Sequence, residues 1–330
     1  MKSANIPNII PILLCGGQGQ RLWPISNKET PKQFLSFISG QDSLLKETLK
    51  RIKALQKTLP IKQGYILTAE DYKAQAIEQI KEYEKIPLTL SVITEPMGKG
   101  TAAAIALACQ HIKDPNALLL FMPVDHMMEN PSILAQAIAE HAHYISDHHA
   151  IGLFGIKPYS ANTQYGYIHA GHPIHNQLHT VKNFIEKPNK EKALQFIEKE
   201  HYYWNSGIFL GAQSSFYKEL MQYAPDVINI VESGQYADIC PTSFDKSVLE
   251  RSNQSCVIAI DIKWSDIGTW EEIQNNSSKD HNGNSFTGNI ESINASNNYV
   301  FSENLSIRLE NIDNLVIVEK DGNLLIKAKP

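Results

Sequence analysis

A short apolar run passes directly into a glycine-rich turn in the residues Ile9-Ile10-Pro11-Ile12-Leu13-Leu14-Cys15-Gly16-Gly17-Gln18-Gly19-Gln20-Arg21-Leu22. The apolar run predicts a buried strand, and the three glycines allow positive φ angles and a close approach of backbone to ligand. Backbone N–H groups in such a turn can surround a triphosphate, and Arg21 adds a positive charge. An ordinary strand-to-helix turn remains the alternative interpretation of the glycines.

A second cation follows at Lys32, in the segment Pro31-Lys32-Gln33-Phe34. Two common phosphate loops do not fit this region. A Walker A loop requires Gly-Lys-Ser/Thr at its end, and none follows Gly19. A dinucleotide loop requires a third glycine in Gly-x-Gly-x-x-Gly, and that glycine is missing. The pattern therefore predicts a phosphate site of another type, which Arg21 and Lys32 would share.

The composition indicates a globular protein that binds neither nucleic acid nor membranes. Of 330 residues, 42% are hydrophobic and 20% are charged, and 30 basic against 35 acidic residues give a net charge of −5. This balance provides no general attraction to polyanions or anionic lipid. The apolar run before Cys15 is too short for a signal peptide core or a membrane span. Four widely spaced cysteines without a Cys-x-x-Cys pair predict free thiols in a reducing cytoplasm.

Short apolar segments alternate with amphipathic helical patterns over the first half of the chain. We predict strands over 9–14, 65–68, 88–93 and 118–122. We predict helices over 44–55, 102–112 and 133–145, the first capped by Asp42 or Ser43. This order predicts right-handed crossovers and an α/β fold with a doubly wound, mostly parallel, Rossmann-like sheet. Ligands then bind at the carboxyl ends of the strands, where the glycine turn falls.

The second half is more mixed and ends in a β-rich extension. We predict strands over 165–169, 178–186, 207–210 and 257–262, with helices over 190–199 and 214–223. From about residue 283 the chain becomes rich in Asn and Ser, with short apolar segments and a hairpin turn at Asp321-Gly322. We therefore predict an α/β domain with halves 1–150 and 151–282, followed by a small β-structure over 283–330.

Two motifs carry a family resemblance. The pattern Gly-Gly-x-Gly-x-Arg-Leu-x-Pro over 16–24 resembles the nucleotide loop of sugar-1-phosphate nucleotidylyltransferases. Trp23 and the following Pro-Lys-Gln-Phe-Leu segment are specifically similar to the mannose-1-phosphate guanylyltransferase family. The resemblance implies transfer of GMP from GTP to mannose-1-phosphate, with release of pyrophosphate and formation of GDP-mannose for polysaccharide biosynthesis. It makes 1–282 the nucleotidyltransferase domain, with a nucleotide half and a sugar-phosphate half.

The same resemblance carries two expectations about the extension. Similar enzymes have a β-helix-like structure there that often forms dimer contacts, so a homodimer through residues 283–330 is expected. Larger relatives fuse a phosphomannose isomerase domain at this end. The sequence ends at Pro330 and leaves no room for it, so isomerase activity is not expected.

The resemblance also assigns the nucleotide site. It implies that Arg21 and Lys32 act on the phosphates as catalytic cations. Glu95, in the segment Glu95-Pro96-Met97-Gly98-Lys99-Gly100-Thr101-Ala102, can accept hydrogen bonds from guanine N1–H and N2–H. The family usually has Arg, Asn and a second Pro where this chain has Lys99, Gly100 and Ala103, and a loop-to-helix cap is the alternative role of the segment. The implied nucleotide-binding residues are Leu14, Gly16, Gly17, Gln18, Gly19, Glu95, Gly98 and Lys99.

Two aspartates match the metal-binding positions of the family. Asp125 follows the predicted strand 118–122, and Asp266 lies in Trp264-Ser265-Asp266-Ile267-Gly268. Hard carboxylate oxygens suit Mg²⁺, the implied cofactor. The two positions are 141 residues apart, so only the fold can bring them together. A helix cap is the alternative for Asp125, and a turn former is the alternative for Asp266.

Four residues match the sugar-phosphate site: Gly166, Glu186, Lys187 and Asn205. The resemblance implies that Glu186 and Asn205 bind hydroxyls and that Lys187 pairs with the sugar phosphate as a third catalytic cation. Each motif alone is weak, since Glu-Lys-Pro commonly ends a solvated strand, but together they occur in the expected order. Two alternatives stay open: the same chemistry on a manno-heptose or glucose phosphate, and a non-catalytic subunit that binds sugar nucleotides.

Overall fold

The computed structural model describes residues 6–17, 19–38, 42–81 and 88–329, so the candidate nucleotide-binding residue Gln18 lies outside the described residues. The described strands are β1 (Ile9–Cys15), β2 (Gln63–Ala69), β3 (Thr89–Glu95), β4 (Leu118–Pro123), β5 (Met127–Met128), β6 (Ile151–Ile156), β7 (Tyr167–His175), β8 (Leu178–Ile185), β9 (Tyr202–Ala212), β10 (Ser255–Ile260), β11 (Trp264–Ser265), β12 (Ser285–Ile293), β13 (Tyr299–Glu310), β14 (Leu315–Lys320) and β15 (Asn323–Ala328).

The described α-helices connect these strands and cover the sheet. They are α1 (Leu44–Leu55), α2 (Lys73–Lys81), α3 (Thr101–His111), α4 (Pro131–Asp147), α5 (Lys190–Ile197), α6 (Gln213–Tyr223), α7 (Pro225–Ser233) and α8 (Trp270–Asn276). Ser43 caps α1 as predicted, because its Oγ accepts a hydrogen bond of 3.2 Å from the Lys46 N–H. A short π-helix runs over Asp245–Leu249. Within the described part of the chain, no helix combines the length and apolar character needed to cross a lipid bilayer.

The chain divides into two compact units. The first contains the described residues of 1–16, 49–124 and 128–264, and the second contains those of 17–48, 125–127 and 265–330. The domain boundaries expected from composition stay a prediction.

The first unit is built on a nine-stranded sheet with the order β3-β2-β1-β4-β9-β6-β10-β8-β7. Strand β1 pairs in parallel with β2 and β4, and β2 pairs in parallel with β3. Strand β9 runs antiparallel between β4 and β6. The predicted doubly wound, mostly parallel α/β fold is thus confirmed, and its parallel part places the carboxyl ends of β1, β3 and β4 at one edge.

Some elements of the first unit were missed or misplaced by the sequence pattern. Strand β6, Ile151–Ile156, was not predicted because its two glycines suggest a turn. They are required by packing: a Cβ on Gly155 would lie 2.8 Å from Tyr203 and Val257. The predicted strand 207–210 is only part of β9, whose first half, apart from the buried Trp204, is polar or partly exposed.

The second unit joins the glycine turn to the C-terminal β-structure. Leu22 and Ile25, after the turn, pack in one buried cluster with Ile267, Trp270 and Tyr299. Burial of these apolar side chains from both ends of the sequence fixes the turn on the unit that also carries Asp266.

The C-terminal β-structure consists of three parallel strands and one antiparallel strand. Strands β12, β13 and β14 pair in parallel, and β15 returns antiparallel along β14. Side chains that are 17 residues apart in the sequence form hydrogen bonds with each other. One example is the bond of 2.7 Å from Asn297 Nδ2 to Asn314 Oδ1. The predicted hairpin at Asp321-Gly322 is confirmed, since both residues have positive φ angles, 50° and 75°. The extension is therefore a coil of stacked rungs, as the β-helix-like prediction required.

Candidate functional site

Lys32 forms the centre of a charged cluster in the second unit. Its Nζ lies 2.8 Å from Asp125 Oδ2 and donates longer bonds, of 3.4 and 3.5 Å, to the backbone oxygens of Asp266 and Ile267. Three predicted site residues that are far apart in sequence are thus brought together. Asp125 follows β4 by two residues, and Lys32 opens a 3₁₀ turn, Lys32–Phe34.

The charges of this cluster shift the pKa values of its members. Burial alone would lower the pKa of Lys32, but Asp125, Asp266 and Glu272 outweigh burial and raise it. Burial alone would raise the pKa of Asp125, but the charges of Lys32 and His126 leave it lowered. Lys32 therefore stays an ammonium and Asp125 a carboxylate at neutral pH.

Asp266 is in a different electrostatic position. Burial, followed by a hydrogen bond and charge from Glu272, raises the pKa of Asp266 to about 7. Glu272 is held by a capping box with Thr269 at the start of α8, and its Oε2 accepts a 2.7 Å bond from the Gly268 N–H. The helix cap thus fixes a second acidic group beside Asp266, which the sequence motifs did not indicate.

The backbone next to Asp266 is strained. Ile267 has a φ angle of 44°, in the left-handed region that β-branched residues rarely adopt. Its side chain is fully buried, and its carbonyl oxygen accepts from Lys32. Packing and this hydrogen bond hold the residue in place, and such over-determined strain is characteristic of functional sites.

The glycine turn passes close to Lys32. Gly19 has a φ angle of 60°, and a Cβ there would lie 2.3 Å from Ser26 Oγ and 3.0 Å from Lys32 Cβ. Gly17 has a φ angle of 97° and open space around it. Arg21 is exposed on the 3₁₀ turn that follows. The turn therefore has the glycine-dependent geometry expected of a phosphate loop.

Leu14 and Gly16 belong to the first unit, at the carboxyl end of β1. Leu14 is partly buried, and its carbonyl oxygen accepts from the Val124 N–H at 3.2 Å. A Cβ on Gly16 would meet nothing within 4 Å. These two positions lie at the sheet edge where ligands bind in α/β folds.

Glu95 ends β3 in the first unit and is only 5% exposed. Its Oε1 accepts a hydrogen bond from the buried hydroxyl of Tyr236. Burial raises the pKa of Glu95, and the bond from Tyr236 opposes this effect. Glu95 is therefore a desolvated acceptor held in one orientation by a residue that the motifs did not reveal.

A connector segment, residues 236–245, lies along the loop after Glu95. Lys99 Nζ donates to the Ala237 carbonyl oxygen at 2.5 Å, and the Thr242 N–H donates to the Lys99 carbonyl oxygen at 3.1 Å. A Cβ on Gly100 would lie 2.3 Å from the Thr242 carbonyl oxygen, so only glycine fits there. Gly98 has open space. In the structure, the connector and the loop form one hydrogen-bonded layer.

The predicted sugar-phosphate residues also lie together in the first unit. The Asn205 N–H donates to the Gly166 carbonyl oxygen at 2.8 Å, and a Cβ on Gly166 would lie 2.7 Å from Glu186 Oε2. Lys187 forms an ion pair with Glu186 and has a φ angle of 46°. Asn205 Nδ2 donates at 2.7 Å to Asp245, another residue that the motifs did not indicate.

The charged cluster of the second unit fits a divalent cation. Across residues 6–17, 19–38, 42–81 and 88–329, no three His, Cys, Asp or Glu side chains are grouped as a metal site. Mg²⁺ commonly takes only one or two protein carboxylates and keeps several waters. Asp125 and Asp266 provide two carboxylates whose charges interact with each other and with the Lys32 ammonium.

Comparison with known proteins finds a matching family and similar sequences and structures. The family described as Nucleotidyl transferase matches residues 10–283. A mannose-1-phosphate guanylyltransferase of Salmonella muenchen is 35% identical over 97% of this chain and 70% of that protein. A structure described as mannose-1-phosphate geranyltransferase from Thermus thermophilus is 25% identical with a TM-score of 0.81, covering 97% of this chain and 94% of that one. A mannose-6-phosphate isomerase structure from Helicobacter pylori is 27% identical with a TM-score of 0.66, covering 78% and 99%.

Proposed function

The chain belongs to the Nucleotidyl transferase family, and we propose that it transfers GMP from GTP to mannose-1-phosphate, giving GDP-mannose and pyrophosphate. The observation that carries this proposal is the 35% identity with a mannose-1-phosphate guanylyltransferase over 97% of the chain. The site residues support it, because cations, acidic groups and a buried base acceptor are all present in the described units.

The reaction is an in-line displacement. An oxygen of mannose-1-phosphate forms a bond to the α-phosphorus of GTP, and the bond from that phosphorus to pyrophosphate breaks. The protein has little covalent work to do, so catalysis depends on positioning and on neutralising charge. We assign charge neutralisation to Arg21 and Lys32 on the triphosphate and to Lys187 on the sugar phosphate. Gly17 leaves room for the phosphates beside the backbone, and Gly19 lets the turn pass close to Ser26 and Lys32.

We assign a divalent metal ion, Mg²⁺, to Asp125 and Asp266. Nucleotidyltransferases of this family generally use a divalent metal. When bound, the ion supplies positive charge to the phosphates. Lys32 holds Asp125 ionised, and the Glu272 cap fixes the backbone around Asp266, so both carboxylates are oriented in advance.

We assign base recognition to Glu95 and hexose recognition to Glu186 and Asn205. A buried carboxylate accepts from guanine N1–H and N2–H, whereas adenine presents no such pair of donors. Gly98 leaves space beside the loop, and Gly166 lets the chain pass close to Glu186. We also assign Leu14 and Gly16, at the end of β1, to nucleotide binding.

We also propose a cytoplasmic location and a homodimer. All four cysteines are free thiols, which suits a reducing compartment. Strand β15 is the last strand of the C-terminal sheet and exposes Leu324 and Ile326. An open strand edge with apolar side chains favours pairing with a second copy of the chain.

The direct test measures pyrophosphate release by the purified protein. The grid combines GTP, ATP, UTP and dTTP with mannose-1-phosphate, glucose-1-phosphate and a manno-heptose-1-phosphate, with Mg²⁺ or with a chelator. We expect GTP to exceed ATP by roughly 2 to 4 kcal/mol in transition-state binding, the magnitude of a lost buried hydrogen-bonding pair. We expect the chelator to abolish release.

Three results would contradict the proposal. Equal turnover of ATP and GTP would remove the base assignment. Preference for another sugar phosphate would change the acceptor. Binding of GDP-mannose without release from any substrate pair would indicate a non-catalytic subunit. The grid of substrates also includes mannose-6-phosphate, with formation of fructose-6-phosphate as the measurement. One structural relative is named a mannose-6-phosphate isomerase.

A further inference from the structure

Asp245 lies where the connector segment meets the sugar-phosphate residues. It opens the π-helix Asp245–Leu249, and helices of this type occur frequently at functional sites. The preceding residue, Phe244, donates its N–H to Thr101 Oγ1 at 2.8 Å, which ties the connector to the start of α3. The position of Asp245 is therefore fixed by the fold and does not depend on a freely moving loop.

The contacts of Asp245 determine the orientation of the Asn205 amide. Asn205 Nδ2 donates to Asp245 Oδ1 at 2.7 Å, and Asn205 Oδ1 accepts from the Gly207 N–H at 3.1 Å. A primary amide has two N–H donors, so one donor of Nδ2 is left for a ligand. Gly166 lies beside both Glu186 and Asn205, since a Cβ on it would lie 2.7 Å from Glu186 Oε2 and 3.4 Å from Asn205 Cβ. Asp245 and the Gly207 N–H thus together hold the Asn205 amide with its nitrogen towards Asp245.

Asp245 also adds a second carboxylate next to Glu186. Burial, followed by the charge of Glu186, raises the pKa of Asp245 to about 6, and the Asn205 bond and Lys187 oppose this rise. The Glu186 N–H donates to Glu250 Oε1 at 3.2 Å, so a further acidic residue lies behind Glu186. Two neighbouring carboxylates of this kind favour hydroxyl donors, which stabilise their charged forms.

From this geometry we infer that Asp245 is a specificity-determining residue of the hexose-1-phosphate site: it fixes the Asn205 amide and accepts a hydrogen bond from a hexose hydroxyl. The inference rests on the proposed function, since it concerns the acceptor of that reaction. Neither Asp245 nor its segment is part of the motifs that carried the family resemblance.

The test compares Asp245→Asn and Asp245→Ala with the wild type and with Asp238→Asn. Asp238 is an exposed carboxylate of the same connector and serves as the matched control. Asp245→Asn keeps an acceptor for Asn205 but removes the charge, whereas Asp245→Ala removes both. We expect Asp245→Ala to raise KM for mannose-1-phosphate at least about tenfold, as for a lost charge-assisted hydrogen bond, and KM for GTP less than about twofold.

The pH dependence of kcat/KM provides a second test, because it would not change if Asp245 had a purely structural role. Mannose-1-phosphate itself titrates at about pH 6, so the informative quantity is the ratio of wild-type to Asp245→Asn kcat/KM for this substrate. Wild-type Asp245 becomes protonated and loses acceptor capacity as the pH falls through about 6. The ratio should therefore fall towards one from pH 7.5 to pH 5, and the Asp238→Asn ratio should stay constant.

Two outcomes would overturn the inference. Equal changes in KM for GTP and mannose-1-phosphate would show a general distortion, and an unchanged KM with a flat ratio would show that Asp245 does not contact the hexose. Unfolding temperatures of the variants establish that they fold, and Asp245→Asn preserves the shape if Asp245→Ala does not. Failure of the proposed function would instead appear in the wild type, as absence of turnover with mannose-1-phosphate.

Discussion

At the scale of single residues, the hydroxyl of Tyr236 controls the charge and orientation of Glu95. Removing it by Tyr236→Phe leaves a buried carboxylate without its hydrogen bond, so the pKa of Glu95 should rise further. The guanine recognition that we propose for Glu95 requires the ionised form. We therefore expect KM for GTP to rise roughly tenfold at neutral pH, the effect of one lost charge-assisted bond, with kcat for saturating GTP largely kept.

The dependence of kcat/KM for GTP on pH tests the direction of this effect. If the pKa of Glu95 is raised, Glu95 loses its charge at a higher pH. In Tyr236→Phe, the decrease of kcat/KM for GTP on the acid side should therefore begin at a higher pH than in the wild type. Tyr217→Phe is the matched control, because its hydroxyl bonds Glu232 at 2.9 Å on an exposed surface. A similar loss with ATP, or an unmoved acid limb, would contradict the role given to Tyr236.

The sequence predicted the charged cluster at this scale but not its supporting residues. Lys32, Asp125 and Asp266 lie in recognisable motifs, and the structure brings them together. Tyr236 and Asp245 act through single contacts to residues 141 and 40 positions away, Glu95 and Asn205 respectively. Such pairs leave no local spacing pattern, so only the fold reveals them.

At the scale of elements, Glu319 ties together two rungs of the C-terminal coil. Its buried carboxylate accepts from the Asn304 N–H at 2.8 Å and from Ser302 Oγ at 2.9 Å. The pKa of Glu319 is lowered to about 2, and the hydrogen bond from the Asn304 N–H contributes most to this shift. The stabilisation is thus present above the unfolded-state pKa of about 4.3 and is lost as the pH falls from there towards 2.

Glu319→Gln should therefore lower the unfolding temperature at pH 7 and flatten its decrease between pH 5 and pH 3. Thermal unfolding followed by circular dichroism across this range measures both effects. Glu310→Gln is the control, because Glu310 is exposed and pairs with Arg308 on the surface. Parallel curves for Glu319→Gln and the wild type would show that the rungs do not depend on this carboxylate.

Prediction of the elements succeeded where periodicity was strong and failed where packing overrode it. Strands β1 and β4 are near-continuous apolar runs, β2 and β3 contain shorter apolar segments, and all four were predicted. Strand β6 was missed because packing against Tyr203 and Val257 requires glycine where the pattern suggests a turn. The π-helix at Asp245–Leu249 has no periodic signature in so short a segment.

At the scale of the whole molecule, the open edge of β15 predicts the assembly state. Leu324 is 49% exposed and Ile326 is 61% exposed, and side chains two residues apart share one face of a strand. We expect a dimer by light scattering, and a monomer when both residues are changed to Lys, because two desolvated charges would oppose edge pairing.

The control for this experiment is Ile77→Lys, a change of an exposed apolar residue on α2 in the first unit. It should leave the dimer intact. A dimer that survives the double change on β15, or a wild type that is monomeric at all concentrations tested, would remove the C-terminal edge as the contact.

The 17-residue spacing of the coil gives the extension a natural unit of length. Asn294 bonds Asn311, and Asn297 bonds Asn314, each across 17 residues. An insertion or deletion of one whole rung would therefore keep every asparagine opposite an equivalent partner, since each rung contacts only its neighbours. A change of one residue would instead reverse the inward and outward faces of the strands beyond it. Over evolutionary time, the extension should lengthen or shorten in whole steps of one rung.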